Sequence, residues 1–182
     1  YRRHTNFSME SIQQTFNGNV GFDKTVTAQI SRNGDLVHKM YLEVDMDIIN
    51  GNAINTYDLL SSNYDRYVNY VGLRLLESVT LEIGGQQIDK QYSDWMYIWN
   101  ELSLSSGKRT GWDIMVGADS DMTSFSQSKP RLYVPLEFWF CRNVGLALPL
   151  IALQYHAVKV NIKFAPLSKC TYNGTAYIKN GI

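Results

Sequence analysis

Residues 36 to 47 alternate between apolar and polar side chains almost without a break. Leu36, His38, Met40, Leu42, Val44 and Met46 share one parity, Lys39, Tyr41, Glu43, Asp45 and Asp47 share the other, and Val37 is the exception. Successive side chains of an extended backbone point to opposite faces, so this period of two predicts a strand with one face in a core and one in water. The same period returns in Val26, Ala28 and Ile30, in Val79, Leu81 and Ile83, and in Val158, Val160, Ile162 and Phe164. A chain that repeats this pattern so often is expected to be all-β.

Between 132 and 141 both parities are largely apolar, with Val134, Leu136, Phe138 and Phe140 opposed by Pro135, Glu137 and Trp139. That predicts a strand covered on both sides or lying at an interface. From 7 to 16 the phase changes: Phe7 and Met9 share one parity, Ile12, Gln14 and Phe16 the other. A bulge near Ser11 would restore one inward face. Short strands at 86 to 91 and near 173 to 180 bring the expected number to about eight. The one convincing helix lies at 92 to 104, where Trp95, Ile98, Trp99 and Leu102 fall at i, i+3, i+4 and i+7 behind Ser93 or Asp94 as N-cap. It reads as a cap on a sandwich rather than a layer of one.

Asn33-Gly34 is a strong two-residue hairpin signal, because a type I′ turn needs positive φ at both central positions, and Gly84-Gly85 supplies another. The expected connections run 17 to 23, 32 to 35, 48 to 72, 84 to 85, 92 to 131, 142 to 152 and 165 to 172. In an antiparallel sandwich they alternate between the two ends, which gives one end about 80 connecting residues and the other about 17, with boundaries good to two to four residues. This asymmetry predicts a jelly roll of two four-stranded sheets, trimmed at one end and elaborated at the other.

Little in the chain points to chemistry. His4, His38 and His156 are scattered, with no His-x-His pair for a cupin-like metal site, and Cys141 and Cys170 are too few for a disulfide framework or a four-ligand zinc site. Both thiols are expected to be free. The carboxylate pairs Asp45 with Asp47 and Asp119 with Asp121 read as solvated surface. Ser105-Ser106-Gly107-Lys108 resembles the end of a phosphate-binding loop, but Leu102 stands where its first Gly belongs and Arg109 follows the Lys, so the match fails. Asn6-Phe7-Ser8 and Asn173-Gly174-Thr175 fit the glycosylation sequon, which without a visible secretory signal reads as chance. Clustered aromatics such as Trp95, Tyr97, Trp99 and Phe138, Trp139, Phe140 can stack sugars or bases, yet more often fill a core or a protein interface. No catalytic, cofactor-binding or metal residue is assigned.

Composition narrows the partners. With 17 Lys plus Arg against 17 Asp plus Glu the net charge is zero, and the short basic pairs Arg2-Arg3 and Lys108-Arg109 make no stripe for a phosphate backbone, so nucleic acid is not expected. No run reaches 18 apolar residues, so no spanning helix is expected and direct membrane insertion is not.

Four ordered segments then fall together: YRRHTNFSMESIQQTFNG at 1 to 18, ISRNGDLV at 30 to 37, EIGGQQIDKQYSDW at 82 to 95 and LYVPLEFWFCRNVGLALPLIALQYH at 132 to 156. They resemble the first jelly roll of the major capsid proteins of nucleocytoplasmic large DNA viruses, of the phycodnavirus, mimivirus and iridovirus kind, over nearly the whole chain. The resemblance implies a structural protein without catalytic residues. In that family two successive jelly rolls form one subunit, three subunits form a pseudo-hexagonal capsomer, and capsomers tile an icosahedral shell over an internal membrane. The expected partners are other copies as a homotrimer, neighbouring capsomers and minor capsid proteins; the expected place is the outer shell of the virion, assembled in the host cytoplasm. Residues 1 to 182 would be one domain, the N-terminal half of a double jelly roll, with its large outward loops at 48 to 72 and 92 to 131. Lateral contacts are expected from 132 to 141 and from the apolar loop Val144 to Leu153. The alternative is a jelly-roll module that binds glycans or a receptor through exposed aromatics, with Trp112 and Asp113 as the loop candidates.

Overall fold

A computed structural model of the chain describes residues 6–47, 65–118 and 131–173. Among them are eleven strand segments: β1 Phe16–Asn17, β2 Thr25–Gln29, β3 Leu36–Val37, β4 Tyr41–Asp45, β5 Asp65–Tyr67, β6 Leu76–Ile83, β7 Gln86–Gln91, β8 Arg131–Pro135, β9 Leu148–Pro149, β10 Val158–Phe164 and β11 Thr171–Asn173. Every pairing is antiparallel. One sheet runs β1-β2-β10-β6-β7, and β4-β8, β3-β9 and β5-β11 pair two by two. Val26, Leu42, Val79, Leu81, Leu132, Val134, Val160 and Ile162 from these separate sheets meet in one core. The expected all-β sandwich holds, cut into shorter pieces than the alternation implied.

Parity explains the central ladder. Val26 and Ala28 on β2 and Val158, Val160, Ile162 and Phe164 on β10 are all buried. On β6 the inward residues are Val79 and Leu81, and Leu76 also turns inward because the ladder with β10 shifts register at its Leu76 end. β6 and β7 are joined through Gly84 and Gly85, at φ 61° and 83°, the two-residue turn that this dipeptide predicts.

Other expectations are corrected. Asn33 and Gly34 do not have positive φ, and β2 and β3 are not paired: β2 lies between β1 and β10, whereas β3 pairs with β9. The chain changes sheets here, and the dipeptide serves a crossover rather than a hairpin. The long strand at 36 to 47 is interrupted at 38–40. Its parity survives from Met40 to Met46, but next to β9 Leu36 is exposed and Val37 turns inward. The strand expected at 132 to 141 stops at Pro135; Trp139–Arg142 forms a helical turn, and Phe138 just before it and Phe140 within it, ring centroids 5.6 Å apart, are fully buried. Its apolar run is thus core on one side of a bend, not a two-faced strand. Of the first strand expected at 7 to 16 only Phe16 is ladder, in Phe16–Asn17, with no bulge at Ser11. Thr171–Asn173 is strand, and the rest of 173 to 180 lies outside the described residues.

The two ends differ as the connection lengths imply. At the trimmed end the 84–85 turn is tied down by the Gly84 N–H donating to the Ala157 carbonyl at 2.9 Å, and Arg32 Nη2 donates to the carbonyls of Leu153 and His156. At the other end three helices gather: α1 Val71–Arg74, α2 Ser93–Ser103 and α3 Ser106–Val116. α1 is the hub, packing on α2, α3, β6 and β8. A second long helix was not evident in the sequence, because Ser106 to Val116 carries only Trp112, Ile114, Met115 and Val116 as large apolar residues.

Candidate functional site

The residues with chemical potential do not converge. His38 is half-buried with Nδ1 3.2 Å from the Phe140 carbonyl, while His156 lies against the 84–85 turn, where a Cβ on Gly84 would come 2.6 Å from its ring Nδ1. Asp45 receives Arg131 at 2.7 Å across the β4–β8 ladder, with Glu43 also on that guanidinium at 3.0 Å. Asp119 and Asp121 lie outside the described residues. Among the described residues no group of three His, Cys, Asp or Glu is placed to hold a metal ion. Both cysteines are free; burial pushes the Cys141 thiol up to about 12 and the Cys170 thiol up to about 11, disfavouring the thiolate. The Ser105 to Lys108 run is the start of α3, with Ser105 at its N-cap position.

The aromatic candidates exchange places. Trp112 is not on a loop but inside α3, and it is buried, with Tyr70 at 5.9 Å and the Arg109 guanidinium over its ring. Asp113 lies on the same helix, 3.4 Å from Arg109 Nε. Arg109 also grips Glu101 of α2 and holds that carboxyl below the usual carboxylate range. The Arg109–Glu101 pair ties α3 to α2, and the burial of Trp112 leaves no platform for a sugar there.

Exposed apolar side chains among the described residues include the N-terminal Phe7, Met9 and Ile12 and two denser groups. On the loop after the 139–142 turn, Val144, Leu146, Ile151 and Tyr155 face solvent while Leu148 and Leu150 are buried beneath. This is the expected contact loop, extended by Tyr155 and by Leu36, whose strand pairs with Pro149. The second group is on α2. Its buried residues are Met96 and Asn100, and the stripe Trp95, Ile98 and Leu102 points outward, with Trp99 partly covered by Arg142 at 4.0 Å. The period revealed the stripe but not its direction.

Under α2, Glu137 closes the seam to β7 and the 139–142 turn. One carboxylate oxygen accepts from Asn100 Nδ2 at 3.2 Å, and its carbonyl accepts from Gln91 Nε2 at 2.8 Å. Burial raises the Glu137 carboxyl above the usual range, and the Asn100 bond and the charges of Arg142 and Lys39 only partly offset this.

The family described as "Major capsid protein N-terminus" matches residues 1–181. The chain belongs to this family. Within it, the major capsid protein of Pyramimonas orientalis virus is 49% identical over 90% of this chain, and that of Phaeocystis pouchetii virus 44% identical over 94%. The chain spans 39% and 37% of the lengths of those two relatives. The solved PBCV-1 virus capsid superposes with a TM-score of 0.73 at 40% identity, covering 91% of this chain and 36% of that one. The Faustovirus major capsid protein matches in fold alone, with a TM-score of 0.60 at 16% identity over 88% of this chain and 43% of that one. The jelly-roll sandwich expected from periodicity is the fold of this family.

Proposed function

We propose that this chain is the N-terminal jelly roll, residues 1 to 182, of a major capsid protein, and that its work is structural rather than catalytic. The observation that carries the reading is the match of nearly the whole chain to a viral capsid subunit at 40% identity. The molecule's physics supports it. A shell subunit needs a rigid body, and one core spanning all the sheets provides it. It needs surfaces for its neighbours, and the loop at Val144 to Tyr155 offers one. It must pack many copies side by side, and a net charge of zero limits their repulsion.

In this reading full-length subunits form homotrimeric, pseudo-hexagonal capsomers that contact neighbouring capsomers and minor capsid proteins in the outer shell of the virion, assembled in the host cytoplasm. Nucleic acid and membrane insertion have no part in it, and no helix among the described residues is long and apolar enough to cross a membrane. The same reading gives the outward face of the capsomer to the 48 to 72 and 92 to 131 connections. The glycan-binding alternative loses its named candidate with the burial of Trp112.

The test is to express the full-length protein and examine it by analytical ultracentrifugation and electron microscopy. Trimers of hexagonal outline that form sheets or shells are the expected result. A full-length protein that stays monomeric at tens of micromolar would overturn the proposal.

A further inference from the structure

We propose that Asn33 is a site of spontaneous covalent modification, converting to aspartate and isoaspartate through a cyclic imide formed with the Gly34 backbone nitrogen. The proposal does not rest on the capsid reading.

The step needs no reagent but water and a base to carry a proton. The Gly34 nitrogen, on giving up its proton, attacks the side-chain carbonyl carbon of Asn33. A C–N bond closes the imide ring, and the side-chain nitrogen takes up a proton and leaves as ammonia. Water then opens the ring at one of its two carbonyls. Cleavage of the bond to the side-chain carbonyl leaves aspartate, and cleavage of the bond to the main-chain carbonyl leaves isoaspartate, in which the chain runs through the former side chain. Nothing is oxidised or reduced.

The dipeptide occurs five times in the chain, and in two cases, Asn17-Gly18 and Asn33-Gly34, both residues are described. The fold treats these two differently. Among the described residues no hydrogen bond reaches the Gly34 N–H or the Asn33 side chain, and both residues are exposed. β2 ends at Gln29 and β3 begins at Leu36, so no ladder fixes the Asn33 ψ angle that must turn to bring nitrogen to carbonyl. A Cβ on Gly34 would meet nothing within 4 Å, so the turn has open space around it. Asn17, by contrast, stands opposite Thr27 in the β1–β2 ladder and is followed by Gly18 at φ 102°. That ladder must open before its backbone can turn. The dipeptide that makes no hairpin is therefore the reactive one.

The position gives the change its consequence. Either product adds one negative charge to a chain whose net charge is zero. Isoaspartate also lengthens the main chain between Arg32 and Asp35, and both of these are anchors. Arg32 Nη2 donates to the carbonyls of Leu153 and His156 at 3.1 and 3.2 Å, and the Asp35 carbonyl accepts from the Leu150 N–H at 2.9 Å. The modification thus falls between the fastenings of the loop that exposes Ile151 and Tyr155.

The test ages the full-length protein and its Gly34→Ala variant in buffer at pH 7 and pH 9, and in urea at pH 7. Peptide mass spectrometry that separates aspartate from isoaspartate reads the conversion. In the folded parent Asn33 should convert at least about tenfold faster than Asn17, because only Asn17 must wait for a ladder to open. Both products should form, conversion should quicken at pH 9, and in urea the two sites should converge. Gly34→Ala should slow Asn33 severalfold while melting like the parent, since its Cβ enters open space. An Asn33 as slow as Asn17 in the folded protein would overturn the proposal and leave the capsid reading intact. Aspartate without isoaspartate, or a Gly34→Ala protein that converts as fast as the parent, would overturn the imide route. A difference between the sites that persists in urea would show that sequence neighbours rather than the fold set it, which sinks the structural argument as well.

Discussion

α2 and α3 have the same length, both pack on α1 at one end of the sandwich and each carry tryptophan, yet they use it in opposite ways. On α3, Trp112 is buried between Tyr70 and Arg109, and Val116 is fully buried. On α2, Trp95 points into solvent while an asparagine occupies the buried face. The sequence would assign them the other way round, since α2 has the amphipathic period and α3 is a mostly polar stretch. The difference teaches that helical period locates an apolar stripe but says nothing about which side of it the protein stands on. α1 and Glu137 decide that, and both are distant from these helices in sequence.

This contrast can be broken in order of effect. Trp112→Ala should be the most damaging change, costing about 3–5 kcal/mol, read as a lowered midpoint in urea; a loss below 1 kcal/mol would mean that α3 is decoration. Next comes Gly72→Ala on α1, where an added Cβ would sit 2.7 Å from Val134 Cγ2 and 2.9 Å from the Val116 carbonyl oxygen. Neither neighbour can yield without moving β8 or α3, so about 1–3 kcal/mol should be lost; a Tm equal to the parent's would show that the helical cap floats.

Glu137→Gln probes the seam beneath α2 through pH. Because burial raises the folded-state carboxyl of Glu137, its favourable contribution is present below the ordinary carboxylate range and lost as pH rises through the raised value. Glutamine can still accept from Asn100 but carries no charge. The variant should melt above the parent at pH 7 and converge with it near pH 4, and an unchanged difference across that range would contradict the burial argument. The smallest effect belongs to Trp95→Ala, which should change stability by less than about 1 kcal/mol, checked by the same urea titration. A loss as large as that of Trp112→Ala would show that α2 already rests on something within its own chain.

The central ladder was legible because burial on one face writes itself into parity. Val26 and Ala28, Val79 and Leu81, and the run Val158 to Phe164 all point as their alternation requires. The turn at Gly84-Gly85 was legible too, since both residues take the positive φ for which glycine is suited. Asn33-Gly34 misled because a dipeptide describes only its own torsions, whereas the choice between hairpin and crossover rests on where β9 and β10 lie more than a hundred residues later. The run from Leu132 to Phe140 misled for a related reason. A continuous apolar run fits a covered strand or a bend packed in the core equally well, and the fixed φ of Pro135 closes the strand. Of the surface, the loop from Val144 to Leu153 was readable as apolar and in a connection, while the outward aim of α2 was set by Asn100, a polar residue inside an apolar pattern.

β10 lies between β2 and β6 along nearly its whole length, whereas β3 and β9 share only a two-residue rung. Under tension along the strands, the hydrogen bonds of the first arrangement stretch together in shear and must fail together, while the short rung can part alone. Pulled along its strands, the domain would thus find its stiff element in the β2-β10-β6 ladder and its give near Pro149, beside the loop that exposes Val144 and Ile151. The domain can bend at that edge without yielding in the middle.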